Sequence, residues 1–240
     1  MDRLDKLLCS QGMLTRSEAG RLIRAGRVTV DGTPCRQPAQ KVDAAAVTVA
    51  VDGKPLCYAE HVYVMLNKPA GILCVSRDPK AQTVVDLLPP ELRRRGLFPA
   101  GRLDKDTHGL VLVTDDGAFA HELLSPRHHV PKTYRARLDK PLDEGMIAAF
   151  CDGPTLEDGT RCLPAELTVL EAGETPLVQV IIYEGRYHQI KRMFAAVGCH
   201  VTWLKRYAMG GLWLDESLEE GACRPLTSAE KCSILDEKRG

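Results

Sequence analysis

The chain has 240 residues, enough for one sizeable hydrophobic core and a small accessory module. Hydrophobic residues make up 44% and charged residues 27%, which is ordinary for a soluble globular protein, and the 5% of aromatic residues argues against a large aromatic cofactor. No apolar run approaches the roughly 20 residues that span a bilayer, and the first residues lack the apolar stretch of a secretory signal, so we expect a cytoplasmic protein.

The cysteines and the distribution of charge narrow the class of protein further. The nine cysteines include no C-x-x-C pair, which argues against a disulfide framework and a zinc module, so we expect reduced thiols and no metal site. The net charge is zero, but residues 1–41 hold eight Lys or Arg against four acids, a charge of +4. The remaining residues therefore carry a net charge of −4. A basic N-terminal segment attached to a neutral-to-acidic remainder is typical of a protein that binds nucleic acid through that segment.

The first forty residues predict two helices and a hairpin. Three leucines at helical spacing indicate a helix over Arg3–Gln11. Thr15 followed three residues later by Glu18 is a capping-box pattern that begins a second helix, and Gly26 ends it. Alternating valines then run into an Asp31–Gly32 pair, which is typical of a tight hairpin turn.

This head resembles the S4 RNA-binding module, whose three signature stretches occur here in order over most of residues 3–32: R-L-D-K-L-L, S-E-A-G-R-L-I-R-A-G and R-V-T-V-D-G. The resemblance implies that four cations lie towards RNA phosphates, where they set register but not sequence. These cations are Lys6, Arg16, Arg21 and Arg24. The alternative is that the arginines only solvate a helix face.

The rest of the chain predicts a second, larger domain. A weak strand over Val47–Val51 and a linker near residues 55–61 lead to our predicted boundary, with domains at 1–58 and 59–240. Apolar β-rich runs then occur at Val62–Leu66, Leu110–Thr114, Thr133–Leu138 and Leu177–Tyr183. Helical stretches occur at Gly117–Leu124, Asp143–Phe150 and Tyr187–Val197. Their irregular alternation predicts an α+β fold with a mixed, largely antiparallel sheet flanked by helices.

The candidate reactive residues lie in residues 101–114, G-R-L-D-K-D-T-H-G-L-V-L-V-T. A polar, Gly-bounded loop with Asp104 and Asp106 runs directly into a buried strand, where reactive side chains are commonly held. Composition alone favours a charged turn whose aspartates cap backbone N–H groups. A phosphoryl-transfer loop fits poorly, because His108 stands where Thr or Val is expected and no apolar strand precedes the loop.

The same segment matches G-R-L-D-x-D-T-x-G-L, the active-site signature of pseudouridine synthases that modify ribosomal RNA. The chain resembles this family at residues 63–71, 125–134 and 184–198 as well. Its S-P-R-H-H and K-T-Y stretches, with the S4 head, are most similar to the branch acting on 16S rRNA of the small subunit. Relatives of the same architecture modify large-subunit (23S) RNA, so the target is less firmly indicated than the reaction.

The resemblance implies a catalytic set of Asp104, Tyr134 and Lys191. The reaction breaks the N1–C1′ bond of uridine and rejoins the base through C5, so it needs no cofactor or metal but does need an ionised carboxylate in a site that excludes water. The family motif assigns this carboxylate to Asp104 and its cationic partner to Lys191, where most members have Arg. Lys191 borders the apolar stripe of its predicted helix and can reach a half-buried acid. Tyr134 matches the tyrosine that stacks on the uracil.

Three arginines complete the RNA-binding set that the resemblance implies. Arg102 fills the gap left by a flipped uridine or clamps its phosphate, while Arg186 and Arg192 are weaker candidates for backbone contacts. We expect a monomer without membrane contact, whose partner is 16S rRNA or a small-subunit assembly intermediate. The rival function is a catalytically silent rRNA-binding assembly factor.

Overall fold

The computed structural model describes residues 1–12, 14–56 and 58–236. They form two compact units, the first comprising Met1–Val62 with Leu88–Leu97 and the second Tyr63–Leu87 with the residues from Phe98 onward. Nothing in the sequence indicated that 88–97 packs with the first unit. The domain boundary after residue 58 stays a prediction, because a compact unit is not the same as a segment that folds alone. Within the described residues, no helix has the length and apolar character that a bilayer crossing requires.

The first unit contains the two helices, the hairpin and the weak strand that the sequence predicts, together with short strands at Asp2–Arg3, Lys41–Val42 and Lys54–Pro55 that it does not. Its elements are β1 (Asp2–Arg3), α1 (Leu4–Ser10), α2 (Arg16–Arg24), β2 (Val28–Val30), β3 (Thr33–Cys35), β4 (Lys41–Val42), β5 (Val49–Val51) and β6 (Lys54–Pro55). The predicted capping box is confirmed: Glu18 N donates to Thr15 Oγ1 at 3.2 Å and Thr15 N donates to Glu18 Oε2 at 2.6 Å. The leucines of α1 and the apolar face of α2 share one buried cluster with the valines of the hairpin.

The second unit is a nine-stranded mixed sheet with helices, so the predicted α+β class is confirmed. Its strands are β7 (Tyr63–Lys68), β8 (Phe98–Ala100), β9 (His108–Thr114), β10 (Lys132–Leu138), β11 (Glu166–Glu171), β12 (Leu177–Ile182), β13 (Val201–Met209), β14 (Leu212–Trp213) and β15 (Cys223–Pro225). Its helices are α3 (Gly117–Leu124), α4 (Glu144–Asp152), α5 (Gln189–Ala196) and α6 (Ser228–Asp236). The main strand order is β11-β12-β10-β13-β9-β7-β15, with β14 on β13 and β8 on β9.

The pairing of β9 with β13 positions the predicted active-site loop. These strands run parallel, whereas the other strand pairs of the described sheet are antiparallel. Gly109 lies opposite Arg206, with a φ of +102°, and a Cβ atom there would lie 2.2 Å from the carbonyl oxygen of Arg206. Only glycine allows this approach. The loop that precedes β9 is thereby held against the middle of the sheet.

Candidate active site

A cleft of about 830 Å³ opens on the second unit, a size typical of a ligand-binding pocket. Its walls come from the loop 101–107, the segment 182–191, and one face of the central strands β10 and β13. The sequence-predicted residues Asp104, Tyr134 and Lys191 all line it. The fold therefore brings together three residues that are far apart in the chain.

Asp104 and Lys191 form an ion pair in this cleft. Lys191 Nζ lies 3.2 Å from Asp104 Oδ2, and about a quarter of each side chain is exposed (25% and 26%). Lys191 lies in the first turn of α5, whose apolar residues Met193 and Phe194 are fully buried. The helix is therefore fixed in the core, so the ammonium is held near the carboxylate at low entropic cost.

Lys191 also binds a second carboxylate, which the sequence did not indicate. Its Nζ donates to Asp106 Oδ1 at 2.6 Å, closer than to Asp104. This hydrogen bond lowers the pKa of the Asp106 carboxyl. Burial favours the neutral amine of Lys191, but the hydrogen bond that it donates to Asp106 and the charge of Asp104 outweigh burial and raise the pKa of Lys191. The ammonium is thus firmly charged, while Asp106 is 72% exposed and faces water.

His188 approaches the other oxygen of the same carboxylate. Its Nε2 lies 3.5 Å from Asp104 Oδ1, so a protonated ring would add a second positive charge beside Asp104. The residue caps α5 in the left-handed conformation, with a φ of 49°. Its ring stacks on the largely exposed Tyr187 at 3.8 Å between centroids. Asp104 therefore has basic groups on both of its oxygens.

A fully buried lysine, Lys68, holds the loop that carries Asp104. Its Nζ donates to the carbonyl oxygens of Pro69, Lys105 and Thr107 at 3.0, 3.1 and 2.8 Å. Burial lowers the pKa of Lys68. Three carbonyl acceptors compensate the loss of hydration, and two of them flank Asp106, so this ammonium fixes the turn between Asp104 and β9.

Tyr134 lies on the sheet face that forms the floor of the cleft. It is 7% exposed and is the direct partner of Arg206 on β13. Lys132 lies two residues before Tyr134 on β10, so its side chain points to the same face of the sheet. The side chains of Lys132 and Arg206 both line the cleft. Arg206 Nε donates to the carbonyl oxygen of Leu110 at 2.8 Å, and its Nη2 to that of Gly101 at 2.9 Å. A flat aromatic ring and two buried cations therefore form one surface.

The predicted RNA-binding arginines of the second unit differ in their surroundings. Arg102 is exposed at the cleft and has no carboxylate within 4 Å in the described part of the chain. Arg186 also lines the cleft, but its Nε already binds Glu184 at 2.8 Å. Arg192 binds Asp158 and does not line the cleft. Of the three, Arg102 is the cation whose charge is most open to a phosphate.

The predicted RNA-binding cations of the first unit lie at its surface. Arg16, Arg21 and Arg24 of α2 are exposed, and no carboxylate of the described residues forms an ion pair with them. Lys6 is exposed too, but its Nζ binds Asp2 at 2.8 Å. The structure thus presents three unneutralised guanidinium groups on one short helix.

The functional residues that sequence reasoning missed are mostly buried cations. Lys68, Lys132 and Arg206 are charged by type, and such residues are expected at the surface. Lys68 and Lys132 stand in stretches already singled out, residues 63–71 and K-T-Y, whereas Arg206 lies in a strand that the sequence analysis did not predict. The position of Lys68 and Lys132 at the ends of predicted apolar β-rich runs was the available signal.

Comparison with known proteins identifies the family to which the chain belongs. The chain matches the family described as RNA pseudouridylate synthase over residues 62–196, and the S4 domain over residues 2–47. The chain belongs to the RNA pseudouridylate synthase family. The segment 62–196 contains Asp104, Tyr134 and Lys191, so the pseudouridylate synthase match covers most of the described cleft.

Full-length relatives support this membership. The chain is 45% identical over 237 residues to the Ribosomal small subunit pseudouridine synthase A of Escherichia coli K12, covering 97% of this chain and 100% of that one. It is also 45% identical to the Uncharacterized RNA pseudouridine synthase YtzG of Bacillus subtilis, with 98% of each chain covered. A solved pseudouridylate synthase has 38% identity and a TM-score of 0.66, covering 98% of this chain and 100% of that one. The protein is thus a pseudouridine synthase, an isomerase, with an S4 domain.

Proposed function

We propose that this pseudouridine synthase isomerises one uridine of 16S ribosomal RNA, in the free RNA or in a small-subunit assembly intermediate, with Asp104 as the catalytic carboxylate. The observation that carries the proposal is the Asp104–Lys191 ion pair in a cleft whose floor holds Tyr134. The relatives named as small-subunit synthases support the choice of RNA, because they align with this chain from end to end.

The reaction is balanced without any added reagent. The N1–C1′ bond breaks, the uracil turns, and a C5–C1′ bond forms while C5 loses its proton and N1 gains one. Asp104 acts on this substrate through C1′, through C6 of the base or through a glycal-like intermediate, and each path requires the carboxylate to be ionised at the start. The ammonium of Lys191 lies 3.2 Å from this carboxylate and attracts its negative charge.

Tyr134 stacks on the uracil in this proposal. Its ring forms part of the cleft floor and is buried. A target uridine has to leave its stack in the RNA to reach Asp104, and a flat phenol compensates part of the lost stacking. Arg102, exposed at the cleft and without an acidic partner in the described chain, binds the phosphate beside the flipped nucleotide.

The S4 unit supplies affinity for the RNA. Arg16, Arg21 and Arg24 offer their charges on one helix, and Lys6 adds a fourth cation in the same unit. Contacts between such cations and phosphates position an RNA-binding protein without reading the sequence. We place the protein in the cytoplasm as a monomer, where ribosomal RNA is its partner.

Mapping of pseudouridine in cellular 16S rRNA tests this function. Carbodiimide treatment followed by primer extension is applied to RNA from cells that have the gene, lack it, or carry Asp104→Asn. We expect one reverse-transcription stop in 16S rRNA that disappears in the last two strains. A lost stop in 23S rRNA instead would assign the activity to the large subunit, and unchanged stops in both RNAs would leave only an RNA-binding role.

A further inference from the structure

Two cations on the cleft floor are buried without an acidic partner. Lys132 is 9% exposed and Arg206 is 1% exposed, and no carboxylate of the described residues lies within 4 Å of either. Lys132 Nζ donates to one carbonyl oxygen, that of Val130, at 2.8 Å. An ammonium has three donors, so a single carbonyl leaves two of them without a protein partner.

Burial of an unpaired charge is costly, and the protein bears that cost at this place. Burial, reinforced by the positive charge of Arg206, lowers the pKa of Lys132 to about 8, while the more distant Glu184 carboxylate opposes the shift. At neutral pH the ammonium is still the main form. Such a group has strong electrostatic affinity for any anion that enters the cleft, because few waters compete with it.

The position of these cations matches the place of the base rather than of the backbone. Lys132 lies two residues from Tyr134 on β10, and Arg206 is the cross-strand partner of Tyr134 on β13. All three side chains line the cleft floor, while Arg102 lies at the surface. A uracil stacked on Tyr134 would therefore have its edge beside the ammonium of Lys132.

We infer that Lys132 is a further catalytic residue, which with the charge of Arg206 stabilises the negative charge that develops on the uracil while it is detached from or activated on the ribose. This inference rests on the proposed function. When the N1–C1′ bond breaks, its electron pair stays on N1 and is delocalised onto O2 and O4. When Asp104 adds to C6 instead, the charge spreads to C5 and O4. Each path makes the base oxygens more negative, so a fixed cation lowers the barrier in each.

Single-turnover rates with saturating full-length protein test the role, since they report the chemical step on a 16S transcript or small-subunit particle. We expect Lys132→Met to slow pseudouridine formation by about 100-fold or more, the usual effect of removing one charge-stabilising donor. RNA affinity should stay within about threefold, because phosphate contacts dominate binding. Lys132→Arg keeps the charge and should stay within about tenfold of the parent rate.

Lys205→Met is the matched control. Lys205 lies on β13 next to Arg206, is 15% exposed and pairs with Glu220, but does not line the cleft. Replacing Lys205 by methionine should change the single-turnover rate by less than about threefold. This change is small compared with the loss of rate expected for Lys132→Met. If Lys132→Met fails to fold by circular dichroism, Lys132→Gln provides the same comparison with a polar side chain.

The outcomes separate the two proposals. A neutral residue at 132 that supports turnover within about threefold of the parent, or an arginine that is as slow as methionine, overturns the catalytic role of Lys132 and leaves the proposed function intact. A parent protein that forms no pseudouridine in 16S or 23S RNA overturns the proposed function, and this inference with it.

Discussion

Asp104 Oδ2 lies 3.2 Å from the Nζ atom of Lys191, and each side chain is only about a quarter exposed. Replacing the carboxylate by an amide keeps the size but removes the charge. We expect Asp104→Asn to lower the single-turnover rate below detection, while RNA affinity stays within about tenfold because phosphates dominate binding. Filter binding and nucleoside analysis measure the two quantities separately. A variant that turns over like the parent would remove Asp104 from the catalytic role.

Asp106 provides a matched control for Asp104. It binds the same ammonium at 2.6 Å but is 72% exposed. We expect Asp106→Asn to slow the reaction by less than about tenfold, because Lys191 keeps its contact with Asp104 and an exposed ion pair contributes little. The comparison is made under the same single-turnover conditions. Equal loss in both asparagine variants would contradict a special role for Asp104.

Substitution of Lys191 tests whether its charge or only its packing matters. We expect Lys191→Met to slow the chemical step by at least about 100-fold, since the cation that pairs with Asp104 in the cleft is gone. Lys191→Arg restores a cation of similar reach and should recover most of the rate. The comparison of the two variants distinguishes the roles, because methionine and arginine both fill the site but only arginine carries a charge. An arginine variant as slow as the methionine variant would show that the charge of Lys191 is not what acts on Asp104.

The pKa of Lys132 predicts a pH-dependent stability. The group has a pKa of 10.5 when unfolded and about 8 when folded, so the native state binds fewer protons between these values and stability rises as pH increases from about 8 to about 10.5. At pH 7 the buried charge costs on the order of 3 kcal/mol. We expect Lys132→Met to be more stable than the parent by about 1 to 3 kcal/mol at pH 7, with a smaller gain near pH 10. Urea unfolding at both pH values measures this, and a methionine variant less stable at pH 7 would contradict it.

The arginines of α2 predict a salt-dependent contribution to binding. Arg21 and Arg24 are exposed without an ion pair, whereas Arg27 in the same unit binds Asp52 at 2.6 Å. We expect the double variant Arg21→Ala, Arg24→Ala to bind 16S RNA more weakly and to reduce the slope of log K against log salt by about 2. Arg27→Ala should change that slope by much less. Equal slopes in the double variant and the parent would mean that α2 faces away from the RNA.

Local signals in the sequence predicted most elements but not the centre of the sheet. Capping at Thr15 and the Asp31–Gly32 turn are short-range features, and both are present in the structure. The strand β13 was missed because Lys205 and Arg206 interrupt its apolar pattern, and only the fold shows that Arg206 is buried between carbonyl groups.

Local sequence signals likewise predicted only part of the candidate active site. The motif around Asp104 and the helix of Lys191 were visible in the sequence, as was the possibility of their meeting. The contact of Lys191 with Asp106, 85 residues apart, depends on how α5 packs on the sheet and not on either segment alone. Likewise, the burial of Lys132 depends on the position of β10 between β12 and β13.

Release of the C5 hydrogen is the most direct test of the central claim that Asp104, paired with Lys191, drives uridine isomerisation. The new C5–C1′ bond displaces that hydrogen, so 16S RNA labelled with tritium at C5 of uridine should release it to water. The account predicts release of one equivalent by the parent protein and none by Asp104→Asn at equal RNA occupancy. Release by the asparagine variant at the parent rate, or none by the parent on any ribosomal RNA, would contradict it.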